Sequence, residues 1–152
     1  MNTSRWLSED EQLTWLSYLR ATKLLNDRLD NDLQTQFHIS LDEYEVLAML
    51  STETHGLRMS SLAEITVSPK SRLTHCVTRL QQQGYVERVS CPTDKRGTFA
   101  VLTAKGTALL KRAAPVHVDG VRTAFTDQMN DAQRRSLTKV MGNIVQSAET
   151  RQ

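Results

Sequence analysis

The chain has 152 residues, of which 39% are hydrophobic and 24% charged, and it contains two cysteines. This composition is that of one ordinary globular domain, and it excludes a disordered chain or a disulfide-rich one. No apolar run approaches the roughly 20 residues that a membrane span requires, and the first ten residues lack the order of a secretory signal, so we expect a cytoplasmic protein without a membrane partner.

Positive charge is concentrated in the middle of the chain. The formal net charge is +2, but residues 58–112 hold ten Lys/Arg against three Asp/Glu, which is a charge of +7. The remaining residues hold nine basic and fourteen acidic side chains, which is a charge of −5. A basic segment between acidic flanks is typical of a module that binds a polyanion, with a merely solvated basic surface as the alternative.

The N-terminal segment is predicted to form one long helix. Ser8 and Glu11 have the spacing of a capping box, and leucines then recur at helical spacing as far as Leu33. The apolar stripe, with Trp15 near one edge, is broader than one packed neighbour requires in so small a chain. The stripe therefore indicates a subunit interface.

Two shorter helices are predicted next. A capping box at Ser40 begins the second helix, which is expected to end near Leu50. After a break at residues 54–56, Ser60 or Ser61 can cap a short third helix.

The fourth predicted helix has the clearest start in the chain, because Ser68 is a good N-cap and Pro69 suits the first helical position. At about 100° per residue, its side chains up to residue 83 separate into an apolar face, assigned to the core, and a polar face expected to be free. The apolar face is Leu73, Cys76, Val77 and Leu80, and the polar face includes Ser71, Arg72, His75, Thr78 and Arg79.

A β-hairpin and two further helices complete the chain. The hydrophobic period changes to two over residues 85–89 and again over residues 98–102, on either side of a turn-rich segment. Thr103 then caps a helix that Pro115 is expected to kink or interrupt. The last helix opens with a capping box at Asn130.

This order of elements predicts a winged helix-turn-helix, a mainly α fold with a small β-hairpin wing (α+β) and helical ends. A single helix fits the major groove of B-form DNA, while a cationic hairpin tip can approach phosphates or the minor groove. We therefore predict binding to double-stranded DNA by Lys70 and the polar face of the fourth helix, and by Lys95 and Arg96 of the hairpin tip.

The hairpin resembles a known family. Residues 94–103, DKRGTFAVLT, match the wing signature D-x-R-x5-L-T of the MarR family at all four specified positions. Residues 71–80 and 84–88 resemble the recognition helix and the first wing strand of that family, and residues 103–106 resemble the start of its fifth helix. The resemblance spans nearly the whole chain.

The resemblance implies a triangular homodimer that presents two winged parts to a pseudo-palindromic operator. Within a single MarR-type domain, residues 1–152, the winged helix-turn-helix would be residues 40–103. Residues 1–38 and 104–152 would form the helical dimerisation part. Binding would repress a promoter.

The resemblance also implies roles for particular residues. Arg96 is similar to the wing arginine that enters the minor groove, and Asp94 to the acidic residue that braces it through a salt bridge. MarR proteins commonly release DNA when a small aromatic or anionic effector enters a pocket between the dimerisation helices and the winged part. Side chains that can line such a pocket are Trp15, His38, Tyr44 and His117, although a Trp or Tyr at helical spacing is more often a core residue.

Two other functions remain as alternatives. A redox-responsive regulator would use Cys76, on the inward face of the fourth helix, or Cys91, before the wing, although relatives that sense peroxide carry their cysteine near the first long helix. A winged helix used for protein contact would turn its polar face to an acidic partner instead of DNA.

Catalysis is not expected. The sequence has no glycine-rich phosphate loop, no G-x-S-x-G and no histidine pair at metal-binding spacing. We therefore predict that the protein is not an enzyme and that it uses no cofactor and no metal.

Overall fold

The structure is a computed structural model that describes residues 6–66, 68–90 and 97–150. Within these residues it is mainly helical with one small sheet, which confirms the predicted fold class. No described helix is both long and apolar enough to cross a membrane. The elements are α1 (Glu9–Phe37), α2 (Leu41–Ser51), β1 (Leu57–Arg58), α3 (Met59–Ile65), α4 (Lys70–Gln82), β2 (Val86–Ser90), β3 (Thr98–Leu102), α5 (Ala104–Ala124) and α6 (Asp131–Glu149). A 3-10 turn at Thr126–Gln128 joins α5 to α6.

Four helices begin where the sequence predicts. At the start of α1, α2 and α6, the side chain of the capping residue accepts a hydrogen bond from the backbone N–H three residues on. The side chain of that third residue in turn accepts a hydrogen bond from the backbone N–H of the capping residue. At the start of α5, the hydroxyl of Thr103 accepts from the N–H of Gly106 at 3.0 Å. These bonds satisfy N–H groups that have no partner inside a helix.

The predicted starts of α3 and α4 are wrong. Helix α3 begins at Met59, before Ser60, because Leu57 and Arg58 pair with β3 as an unpredicted strand and the chain turns from strand directly into helix. The N-cap of α4 is Pro69, and it makes no side-chain capping bond. The hydroxyl of Ser68 instead donates to the carbonyl of Thr66 at 3.2 Å.

Helix α5 continues through Pro115, so the predicted interruption is wrong. Pro115 itself is exposed, but Ala113 and Gly120 on either side of it are buried. A Cβ on Gly120 would lie 2.8 Å from the Cδ2 of Leu29, so α5 and α1 approach closely there. Packing on both sides of the proline therefore offsets the one backbone hydrogen bond that proline removes.

The core lies between the sheet and helices α2, α3, α4 and α5. The strands pair antiparallel in the order β1-β3-β2, with Ala100 of β3 opposite both Leu57 and Arg88. Fully buried side chains include Leu47, Leu62 and Leu80. Outside this core, α6 buries no residue and α1 buries only residues of its C-terminal half.

Candidate nucleic-acid interface

Helix α4 has one buried face and one polar face, as predicted. Its apolar residues Leu73, Cys76, Val77 and Leu80 are all buried. Five of the predicted contact residues on α4 are exposed, namely Lys70, Ser71, Arg72, His75 and Arg79. The sixth, Thr78, is half-buried. The predicted wing residues Asp94, Lys95 and Arg96 lie outside the described residues.

The polar face is not free, contrary to the prediction, because two of its arginines pair with carboxylates of α2. Both Nε and Nη2 of Arg72 lie close to the Oδ2 atom of Asp42, at 2.8 Å and 2.6 Å. These two side chains are 65% and 41% exposed, so the pair lies at the surface. Sequence periodicity places Arg72 on the correct side of α4 but carries no information about the facing helix.

A second arginine of α4 pairs with a buried carboxylate. Arg79 Nε lies 3.2 Å from Glu43 Oε1, although the geometry is not that of a hydrogen bond. The other oxygen of Glu43, Oε2, accepts the backbone N–H of Ser40 at 2.8 Å in the capping box. Because a buried carboxylate needs a compensating charge, Arg79 connects the last turn of α4 to the first turn of α2.

Arg88 joins the first wing strand to α4, a contact that the sequence analysis missed. Its Nη1 donates to Gln81 Oε1 at 3.0 Å, and its Nη2 donates to the Thr78 hydroxyl at 3.0 Å and to the Thr74 carbonyl at 3.2 Å. The Thr78 hydroxyl is therefore engaged within the subunit. A signal was present, because Arg88 lies two residues after buried Val86 and shares its side of the strand.

The turn between α4 and β2 is held by the start of α5. Gly84 has a φ of +78°, which a residue with a side chain rarely adopts. The hydroxyl of Thr103 donates to the carbonyl of Gly84, and Lys105 Nζ donates to the carbonyl of Gln83, both at 2.7 Å. A Cβ on Gly106 would lie 2.1 Å from the Tyr85 carbonyl oxygen, so only glycine fits. These contacts set the position of the hairpin relative to α4.

Of the four candidate effector residues, the structure brings two together. The rings of Tyr44, on α2, and His117, on α5, have centroids 4.3 Å apart and planes inclined at 32°. Burial lowers the pKa of His117 and raises the pKa of Tyr44. The Nδ1 atom of His117 is buried without a hydrogen-bond partner among the described residues.

The other two candidate effector residues lie elsewhere. Trp15 is half-exposed on α1 and stacks on Tyr18, with ring centroids 5.8 Å apart. His38 is the exposed C-cap of the same helix and has a positive φ of 58°. Since a helix rises 1.5 Å per residue, these two residues are about 35 Å apart along α1. They do not line one cavity within a subunit.

Neither cysteine nor metal chemistry is favoured by the described residues. Cys76 is buried, and burial, followed by the charges of Glu43 and Asp42, raises the pKa of its thiol to about 12. Cys91 lies outside the described residues. Among the residues described, no cluster of three or more His, Cys, Asp or Glu could hold a metal ion.

Comparison with known proteins relates this chain to a family of regulators. A sequence profile described as "MarR family" matches residues 39–97. Sco3205, a MarR family transcriptional regulator from Streptomyces coelicolor whose structure is in complex with DNA, is 41% identical with a TM-score of 0.92, over 97% of this chain and 92% of that one.

Two further relatives align over nearly their whole length. AbsC, a MarR family transcriptional regulator from Streptomyces coelicolor, is 38% identical with a TM-score of 0.90, over 97% of this chain and 99% of that one. An uncharacterised HTH-type transcriptional regulator of Bacillus cereus is 26% identical over 140 residues, which is 92% of each chain. The similarity therefore includes the helical ends as well as the winged centre.

Proposed function

The chain belongs to the MarR family of transcriptional regulators, and on this premise we propose that it is a homodimeric repressor that binds duplex operator DNA and releases it to a small effector. It is a regulator and not an enzyme, as the sequence predicts. In the proposal, residues 40–103 bind the DNA, and residues 1–38 and 104–152 join the two subunits.

The proposal of DNA binding rests on one observation, the exposed cationic and hydroxyl side chains along one side of α4. Lys70, Ser71 and His75 are exposed on that side, and the described residues give them no side-chain partner. They can donate to phosphate oxygens or to base edges when α4 enters a major groove. The DNA complex of the 41% identical relative Sco3205 supports this use of the fold.

The wing contributes the second part of the proposed interface. On the strength of the family signature, Arg96 enters the minor groove beside the major groove that α4 occupies, and Asp94 braces it. In a two-fold dimer, the two α4 helices then read half-sites about 10 base pairs apart.

The salt dependence of binding tests whether the partner is DNA. Each phosphate that the protein neutralises lowers the slope of log affinity against log salt by about 0.9, so several contacts give a steep negative slope. Arg96→Ala should weaken operator binding about tenfold or more. Lys23→Ala is the matched control, because it removes a cation of α1 that pairs with Asp27. Salt-independent binding to DNA, or binding only to an acidic protein, would favour the protein-contact alternative.

The proposal of a homodimer rests on apolar faces that the subunit leaves uncovered. Leu13 and Leu16 of α1 are 65% and 61% exposed, and Val140, Ile144 and Val145 of α6 are each at least half exposed. A helix that buries no side chain in its own subunit gains too little from propensity alone to be stable. We propose that a second copy of the chain, which carries the same apolar faces, buries them in a dimer interface.

Sedimentation equilibrium tests the dimer. The wild-type protein should have twice the chain mass of 17.2 kDa, and Ile144→Glu should shift it to the monomer. Ile65→Glu is the matched control, because Ile65 is 51% exposed on α3, away from α1 and α6. A wild-type monomer at every concentration would contradict the proposal.

The proposal of effector release rests on the Tyr44–His117 contact. This contact joins α2, in the winged part, to α5, in the helical end part, so a ligand that separates the rings shifts the two parts relative to each other. The buried Nδ1 of His117, which has no hydrogen-bond partner in the described part of the chain, is a polar atom that an anionic or phenolic ligand can satisfy. An aromatic carboxylate has a ring that can separate Tyr44 from His117 and an anionic group that can bind the Nδ1 atom.

Benzoate and its hydroxylated derivatives are the probes for this proposal. They should release labelled operator from the wild-type protein, measured by fluorescence anisotropy, and His117→Ala should require a higher concentration. His38→Ala is the control, because His38 is exposed at the end of α1 and should leave the response unchanged. Equal responses of both variants would remove His117 from the effector site.

A further inference from the structure

Asp42 holds Arg72 by one defined edge of its guanidinium group. The two nitrogens that approach Asp42 Oδ2 are Nε and Nη2, which form the lateral edge of the group. A guanidinium carries five N–H donors in a rigid plane, and its terminal edge is formed by Nη1 and Nη2. Nη1 makes no hydrogen bond to any described residue. The terminal edge therefore keeps two parallel donors available.

The location of Arg72 matches a base-reading role. It is the third residue of α4, and residues of the first turns of a recognition helix are those that reach base edges. Its side chain is 65% exposed even though it is paired, so the terminal edge lies at the protein surface. Two parallel N–H groups of an arginine are the donor pattern that fits the O6 and N7 atoms of guanine.

The pair also sets where the guanidinium points. An unpaired arginine side chain samples many rotamers and loses this freedom when it binds a base. Asp42 lies on α2, which packs against α4, and the cavity that Asp42 and Arg72 line together with residues of the α3–α4 turn has a volume of about 10 Å³, at the limit for one water. Because Asp42 partly neutralises Arg72, the pair favours recognition of a base edge over attraction to a phosphate.

We propose that Asp42 is a specificity-determining residue, which positions Arg72 so that its terminal edge reads a guanine in the operator. The proposal rests on the proposed DNA-binding function. Asp42 itself touches no base and acts through Arg72. The competing possibility is that Asp42 only repels DNA and occupies Arg72, in which case its removal strengthens binding to every sequence.

The experiment compares operator and random DNA. An operator is first obtained by repeated selection of random duplexes with the full-length wild-type protein. Affinities for this operator and for a scrambled duplex of equal length are then measured for the wild type, Asp42→Ala, Asp42→Asn, Arg72→Ala and the double variant Asp42→Ala/Arg72→Ala. Thermal unfolding followed by circular dichroism verifies that each variant is folded, which is expected because exposed ion pairs contribute little to stability.

Glu45→Ala is the matched control. Glu45 is exposed on α2 near Asp42 and Arg72, but no direct contact joins it to Arg72. Its removal changes the local charge by the same amount as the removal of Asp42. A purely electrostatic effect on DNA binding therefore appears in both variants, whereas a positioning effect appears only in Asp42→Ala.

We expect Asp42→Ala to lower the ratio of operator affinity to random-DNA affinity by about fivefold or more. The double variant should lose no more of this ratio than Arg72→Ala, because both substitutions remove the same readout. Asp42→Asn, which keeps an acceptor oxygen, should retain more of the ratio than Asp42→Ala. The loss should disappear on an operator in which the guanine read by Arg72 is replaced.

Two results would overturn the inference. The first is an unchanged ratio in Asp42→Ala, which includes an equal gain of affinity for operator and random DNA, and the second is an equal loss of the ratio in Glu45→Ala. If the wild-type protein selects no operator and binds random DNA without salt dependence, the proposed function itself fails, and the inference fails with it. The two failures are therefore distinguishable.

Discussion

Arg79 Nε lies 3.2 Å from Glu43 Oε1, and the two side chains differ widely in exposure, at 46% and 2%. The neighbouring Arg72–Asp42 pair, about two turns earlier on α4, is exposed on both sides. Two ion pairs between the same two helices thus have different environments. Water screens an exposed ion pair, whereas a buried charge without its partner is energetically costly. We therefore assign a role in stability to Arg79 and a role in sequence readout to Arg72.

The first prediction compares these two arginines. Arg79→Ala leaves the buried carboxylate of Glu43 without its counter-charge and should lower the free energy of unfolding by about 1–3 kcal/mol. Arg72→Ala removes an exposed pair and should cost about 1 kcal/mol at most. Urea unfolding at one fixed protein concentration measures both, since the stability of the proposed dimer would depend on concentration.

Glu43→Gln supplies the control for this comparison. Glutamine can keep the capping bond to Ser40 but carries no charge. In the Glu43→Gln background, Arg79→Ala should therefore cost less than it does in the wild type. Equal costs in both backgrounds would show that Arg79 does not act through Glu43.

The second prediction concerns the link between the wing and α4. Arg88→Ala removes the three hydrogen bonds to Thr74, Thr78 and Gln81 and should lower the free energy of unfolding by about 1–2 kcal/mol. The amides of β2 should exchange hydrogen faster, because the strand loses its side-chain connection to the helix. Native-state hydrogen exchange measures this effect directly.

Glu87→Ala is the control for Arg88→Ala. Glu87 is the preceding residue on β2, points to the opposite face of the strand and is exposed. Its removal should leave the exchange of the β2 amides unchanged. The same acceleration in both variants would mean that Arg88 has no particular role in holding the hairpin.

The third prediction is a pH dependence of stability. Burial lowers the pKa of His117 below its ordinary value of 6.5, so the unfolded chain binds a proton more readily than the folded one. The contribution of His117 to stability is therefore complete above about pH 6.5 and decreases as the pH falls toward the lower pKa of the folded state. Urea unfolding between about pH 7.5 and about pH 5.5 should show this loss in the wild type.

His117→Phe keeps an aromatic ring against Tyr44 but cannot be protonated, so its stability should fall less over the same pH range. His75→Ala is the control, because His75 is exposed on α4 and should leave the pH dependence unchanged. A pH dependence of the same size in His117→Phe would assign the proton uptake to other groups.

The fourth prediction tests the redox alternative. Burial raises the pKa of the Cys76 thiol to about 12, so at neutral pH almost none of it is the reactive thiolate. In a Cys91→Ser variant, a disulfide reagent such as Ellman's reagent should not modify the native protein, whereas one thiol should react after unfolding in urea. Rapid labelling of the native variant, together with loss of DNA binding after peroxide, would restore Cys76 as a sensor.

The fold was predicted well where local chemistry decides it. Capping boxes at Ser8, Ser40 and Asn130 satisfy N–H groups within the same turn, so the sequence alone locates those helix starts. The start of α3 was missed because it depends on the pairing of Leu57 with Ala100, a contact between distant parts of the chain. The continuity of α5 through its proline depends in the same way on packing against α1 and α2.

For the candidate interface, too, the sequence predicted the local features and missed the contacts between distant parts of the chain. The 3.6-residue period by itself determined which side of α4 is buried and which side carries the cationic residues, because burial of an apolar stripe follows from helix geometry. Only the tertiary structure decided that Asp42 pairs with Arg72, that Glu43 pairs with Arg79 and that Arg88 reaches α4. Such contacts join side chains on different elements, and their formation depends on how those elements pack, which no local pattern of the sequence specifies.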